Sequence, residues 1–201
     1  LLFVVSVSAS AATYYVRTGG GTSAQCTGTV DANYSGSGTD QLCAWNSLME
    51  ALPPRADNQP NPARISGGDT LIIDPGSYMI GYSDAARLEF GDNVCDLNYT
   101  YACVPQPVPS GTAANPTRIL GVGWDTGCQA PPELWGTQAA YQVLSLVGSN
   151  NVFVGCLDIT DHSNCTSNYG PDTAYRCPTA NPRGTYASAG IRASDSDNVT
   201  L

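Results

Sequence analysis

The sequence predicts an all-β protein whose strands run parallel and wind as a β-helix, a solenoid of short coils. Three observations carry this. Residues 68–78, GDTLIIDPGSY, join a strand core that is apolar on both sides (Leu71, Ile72, Ile73) to a sharp corner, Asp74-Pro75-Gly76. Pro fixes φ at the first corner position, and Gly supplies the positive φ of a type II turn at the next. A strand with two apolar sides belongs in a buried parallel sheet rather than a hairpin. The rest of the chain repeats short strand and sharp turn without helices between. Finally, 21 Gly, 14 Pro and only 12% charged residues are the composition of a turn-rich β protein. At 201 residues, one domain with a sizeable core is expected.

The elements follow in order. LLFVVSVSASAA, residues 1–12, is apolar and then small, like the end of a secretory signal peptide with its cleavage site at Ala9-Ser10-Ala11 or one residue on. It is too short to span a bilayer, which takes about 20 apolar residues. The single domain is then residues 13–201, with a capping region at 13–66 and coils at 67–201. Because Leu201 falls within a strand pattern, the chain is expected to be the N-terminal part of a longer protein. Tyr14-Tyr15-Val16 is a short strand and Gly19-Gly20-Gly21 a turn. Leu42, Trp45, Leu48, Met49 and Leu52 fall on one face of a helix from Asp40 to Leu52, which Pro53-Pro54 stops. Such a helix would close the open end of the solenoid. Residues 81–111 are loop, 115–121 a strand with its apolar run at 119–122, and 124–138 loop. Strands follow at 144–147, 152–154 and 157–160, with Leu157 and Ile159 inward and Asp158 and Thr160 outward. A loop insertion spans 161–188.

One internal repeat supports the stacking. LVGSNNVFV at 146–154 aligns with IRAS, two inserted residues, then DNVTL at 191–201. Asn tolerates left-handed backbone and can bond exposed turn groups, so Asn151 and Asn198 are expected to form a polar ladder. Their separation of 47 residues, about twice an ordinary coil, is explained by the insertion.

Eight cysteines follow the leader. An even count fits an oxidising compartment and disulfides. Spacing suggests Cys26–Cys43, Cys95–Cys103 and Cys165–Cys177, leaving Cys128–Cys156. No C-x-x-C occurs and the chain has one His, so no metal site is expected. The net charge is −9, and all eight basic residues are Arg. Acidity argues against nucleic acid or an anionic membrane as partner and sits poorly with a polyanionic sugar. The chain is expected to be monomeric, without a membrane span, and secreted, periplasmic or at the cell surface. Asn33, Asn98, Asn164 and Asn198 sit in N-x-[ST] sequons.

The helix around Trp45, the 68–78 strand and corner, GTAANPTRILG at 111–121 and LVGSNNVFVGCLDI at 146–159 together resemble the right-handed parallel β-helix superfamily called pectate-lyase-like. The order of these parts looks most like secreted chondroitinase B and alginate lyase-type proteins, over most of residues 40–160. The resemblance implies an exported carbohydrate-related protein, the N-terminal part of a polysaccharide lyase or hydrolase. In the resembling lyases the base is a Lys and the acid an Arg, sometimes with calcium; this chain has no Lys, so no catalytic residue carries across. A non-catalytic surface or matrix protein, a stalk or carbohydrate-binding face, is the alternative.

From the residues themselves, the catalytic candidates are Asp158, Asp161 and His162, a carboxylate-imidazole group at the end of an outward-facing strand. A turn-forming Asp and a solvated His is the plainer interpretation. Thr160, Arg176, Arg183 and Arg192 are the candidate substrate-binding residues, the arginines as cations able to meet a sugar carboxylate. Asp158 opposite Asp195 or Asp197 would make a glycosidase pair, though nothing in the sequence selects it. Asp195-Ser196-Asp197-Asn198 has the oxygen-rich composition of a calcium loop without its full spacing, and a polar turn is the simpler expectation. Calcium is the one cofactor considered.

Overall fold

The computed structural model describes residues 11–54, 62–81, 105–137, 140–160, 162, 187 and 189–201. Strands dominate. In chain order they are β1 (Thr13–Gly21), β2 (Thr70–Ile73), β3 (Ser77–Gly81), β4 (Thr117–Gly121), β5 (Glu133–Thr137), β6 (Leu144–Ser145), β7 (Val152–Gly155), β8 (Asp158–Thr160), β9 (Ile191–Arg192) and β10 (Val199–Thr200), with one helical turn, α1 (Leu48–Ala51), before β2. They form a first sheet ordered β1-β2-β4-β7-β10, a second ordered β3-β5-β8, and a third, β6-β9. Every strand pairing within these sheets is parallel. From β4 onward the chain visits first, second and third sheet in turn, and then repeats the order.

Register follows from burial. Leu71, Ile119 and Val154 occupy one row across the first sheet, with Tyr14 ahead of them, and Val16 pairs Ile73 in the next inward row. Tyr78, Leu134 and Ile159 make the matching inward row of the second sheet. Because side chains alternate across a strand, slipping any pair by one residue would turn these rows outward. The parallel β7–β10 pairing confirms the repeat: Val152 pairs Val199, so the two turns stack. Asn151 and Asn198 both take left-handed backbone, with φ of 53° and 54°. A side-chain bond between the turns is made instead by Asn150, whose Oδ1 accepts from Asp197 N at 2.7 Å.

Several expectations are corrected. No helix runs from Asp40 to Leu52; only α1 is helical, capped by Ser47, whose side chain accepts from Met49 N. Asp40 has φ 51°, Gln41 bridges Cys26, Cys43 is tied to Cys26, and Trp45 pairs with both Val16 and Gly21. Disulfide and strand pairing hold residues 41–45 out of a helix and override the 3.6-residue period. Leu42, on the expected apolar face, is 71% exposed, while Trp45 is buried, stacked on Tyr14 at 5.1 Å and donating from Nε1 to the Cys26 carbonyl at 2.9 Å. Gly19-Gly20-Gly21 is strand, not turn. A Cβ at Gly20 would lie 2.3 Å from the Trp45 carbonyl oxygen, so glycine is needed for close approach. At the corner, Gly76 has φ 159°, far from the ~80° of a type II turn; a Cβ there would strike the Thr18 methyl. Residues 133–137, read as loop, are β5. The strand expected at 115–121, with its apolar run at 119–122, is observed as 117–121, and that expected at 144–147 as 144–145.

Cys26–Cys43 and Cys128–Cys156 are bonded, with Cα atoms 5.1 and 5.4 Å apart. The expected pairs Cys95–Cys103 and Cys165–Cys177 lie outside the described residues. Among the described residues, no helix is long and apolar enough to cross a membrane.

Candidate functional site

The outward face of the second sheet carries a hydrogen-bonded polar cluster drawn from all three of its strands. Each strand reaches it by the same alternation: Tyr78, Leu134 and Ile159 point inward, so Ser77 and Met79, Glu133 and Trp135, and Asp158 and Thr160 point out. Parallel register places Ser77, Glu133 and Asp158 on adjacent strands in one row, and Met79, Trp135 and Thr160 in the next.

Glu133 is the hub. Its Oε2 accepts from Ser77 Oγ at 2.6 Å, and its Oε1 bonds both Thr160 Oγ1 at 2.7 Å and His162 Nε2 at 2.8 Å. Trp135 Nε1 donates to Ser77 Oγ at 3.0 Å. The Trp135 and His162 rings stack, centroids 4.1 Å apart and planes inclined by 21°. Hydrogen bonds to a carboxylate favour its charged form. Those from Ser77, then His162, then Thr160, pull the Glu133 pKa down to about 2, against a weaker opposing effect of burial.

This arrangement has defined chemical limits. Glu133 is ionised at any ordinary pH and has donors on both oxygens, so it is neither a general acid nor a free base. Its work is to position: it fixes the imidazole through Nε2, and Trp135 fixes the ring plane. Nδ1 of His162 has no hydrogen-bond partner among the described residues. Glu133 and His162 side chains remain 29% and 36% exposed, so a ligand can reach them.

Of the residues expected from sequence, Thr160 and His162 join this cluster, and Asp158 lies exposed beside Glu133 in register. Asp161, Arg176 and Arg183 fall outside the described residues, as does nearly all of the 161–188 insertion. Arg192 is not brought to the cluster; it belongs to the third sheet, its guanidinium 4.7 Å from the centre of the Tyr141 ring. Asp195 and Asp197 do not face Asp158. They form the turn before β10, where Asp195 has φ 54° and Ser196 Oγ bonds the Leu146 and Ser194 carbonyls, so the oxygen-rich segment is a stacking turn. Among the described residues, no group of three or more His, Cys, Asp or Glu side chains could hold a metal ion.

Ser77, Glu133 and Trp135 were not singled out from sequence. One signal could have found them: in PGSY and PPELW, a polar residue follows the proline turn and precedes an apolar one, so both strands open in the same phase. No protein-family model matches the chain, and no curated protein or solved structure matches it either.

Proposed function

We propose that this chain is part of an exported right-handed parallel β-helix protein that binds a neutral polysaccharide along the outward face of its second sheet. The observation that carries the reading is the stack of Trp135 on His162, tied to Glu133 directly by the imidazole and through Ser77 by the indole, with Thr160 on the same carboxylate. An aromatic ring with a polar handle suits the apolar face and hydroxyl rim of a sugar. Hydroxyls, an imidazole nitrogen and an exposed carboxylate, Asp158, supply the hydrogen-bonding edge around it. Disulfides, the leader-like residues 1–12 and the superfamily resemblance support export. The net charge of −9, with Glu133 and Asp158 side by side, disfavours a uronate polymer.

A second reading, a glycoside hydrolase, has one specific support. Glu133 and Asp158 are register partners on adjacent parallel strands and share one outward row, and glycoside hydrolysis uses a pair of carboxyl groups. The saturation of Glu133 by donors makes binding the better reading.

Binding to a panel of neutral glycans (β-glucan, xylan, mannan) and uronate polymers, by titration calorimetry, tests it. The wild type should bind at least one neutral glycan, and Trp135→Ala should weaken that binding about tenfold or more, as expected of an anchoring aromatic. Preference for uronates, or unchanged binding in Trp135→Ala, refutes the site. Release of reducing ends that disappears in Asp158→Asn would establish the hydrolase instead.

A further inference from the structure

Asp69 is a carboxylate enclosed at the start of the first sheet, 5% exposed. Its Oδ1 accepts from Ala12 N at 2.8 Å and its Oδ2 from Ser66 N at 2.7 Å. Among the described residues it makes no ion pair. Two neutral N–H donors are thin compensation for a full charge removed from water.

The identity of one donor is informative. Ala12 directly follows Ala9-Ser10-Ala11, the small-x-small pattern behind an apolar stretch, and directly precedes β1. We propose that the chain is processed between Ala11 and Ala12, and that the new α-ammonium of Ala12 pairs with Asp69. A leader peptidase would add water across the Ala11–Ala12 peptide bond: the hydroxyl goes to the Ala11 carbonyl carbon, and the Ala12 nitrogen takes the proton. At neutral pH the released acid loses a proton and the amine gains one. The same nitrogen that now donates as an amide would then carry the counter-charge Asp69 lacks.

The surroundings fit an ammonium. A pocket of about 180 Å³, lined by Ala11, Ala12, Tyr14, Gly68, Asp69 and Asn115, borders the nitrogen and leaves room for solvent on its remaining protons. Asp69 and the Tyr14 phenol are the titratable groups facing it. Burial and then the Asp69 charge push the Tyr14 hydroxyl above its ordinary value. A cut one residue further on would remove the Ala12 nitrogen from Asp69 and leave the carboxylate with Ser66 alone. The sequence pattern permits both cuts; Asp69 selects the first. This inference does not depend on the polysaccharide reading.

The test begins with the full chain expressed in a secreting host and recovered from outside the cell. Intact mass and N-terminal sequencing should place the mature start at Ala12. NMR titration of the Ala12 amine in the folded protein should then give a midpoint at or above about 9, against 7.7–8.0 for a free terminus, a tenfold or greater gain in proton affinity. In Asp69→Asn the midpoint should return to 7.7–8.0. Should that variant fail to fold, a chain retaining Ser10-Ala11 ahead of Ala12 serves instead. A raised folded-state pKa stabilises fully below about pH 8 and is lost as pH rises through about 9. The Ala12-start protein should therefore lose thermal stability across that window and the extended chain should not. A mature start elsewhere, an amine titrating at 7.7–8.0, or identical pH profiles for the two chains would overturn the proposal.

Discussion

Removing Ser77 Oγ should release Glu133 from the acid end of its titration. The carboxylate is held at about 2 instead of 4.5 chiefly by three hydrogen bonds, of which that from Ser77 contributes most, followed by those from His162 and Thr160. Ser77 also receives the indole N–H of Trp135, so Ser77→Ala removes a donor from the carboxylate and an acceptor from the ring. The expected result, by carboxyl ¹³C NMR against pH, is a wild-type midpoint near 2. It should rise in Thr160→Val and His162→Ala and rise furthest in Ser77→Ala, approaching the ordinary value only when all three are combined. The sign for stability follows: a depressed carboxylate pKa stabilises the fold above about pH 4.5, and that contribution is lost as pH falls towards 2. Acid unfolding of Ser77→Ala should thus begin at higher pH than in wild type. A wild-type midpoint near 4.5, or an unchanged midpoint in Ser77→Ala, would refute the hydrogen-bonded hub.

Two further outcomes test the frame that holds the site. Ile119→Ala removes a fully buried side chain flanked in its row by Leu71 and Val154, which limits collapse into the space, so urea denaturation should show a loss in the upper half of the ~2–5 kcal/mol range; Leu42→Ala, at an exposed position, should change stability by under about 0.5 kcal/mol, and equal losses would contradict the inward rows. The double variant Cys128→Ala/Cys156→Ala opens a link across 28 residues and should cost about 3–4 kcal/mol on loop-entropy grounds, read as a lower urea midpoint, with no change in midpoint counting against the link.

The strand cores at 71–73 and 152–154 were legible because β-branched and apolar residues crowd there, and the Asn-containing repeat located the stacking of β7 and β10. The 40–52 segment misled because its apolar spacing fits a helix, while the forces that extend it come from Val16, Gly21 and Cys26, distant partners the local pattern does not show. β5 was hidden for a related reason. It offers just Leu134 and Trp135 as apolar signals, one inward and one outward, after two prolines. Thr160 and His162 could be picked out as close neighbours in sequence. Glu133 could not, because its donors lie 56, 29 and 27 residues away and meet only through strand register.

The alternation within β5 has a thermodynamic consequence for the binding proposed at this face. Leu134 is fully enclosed between Glu133 and Trp135, so the backbone carrying both functional groups is clamped from beneath. The indole and carboxylate are also pinned from the side, by Ser77, Thr160 and His162. Their rotamer freedom is already spent in folding, where each immobilised side chain would otherwise cost about 0.5–1.5 kcal/mol at the moment of association. A partner meeting this face therefore finds a stiff template. Selectivity then rests on the partner's own shape, and a flexible partner must supply all of the ordering that complex formation requires.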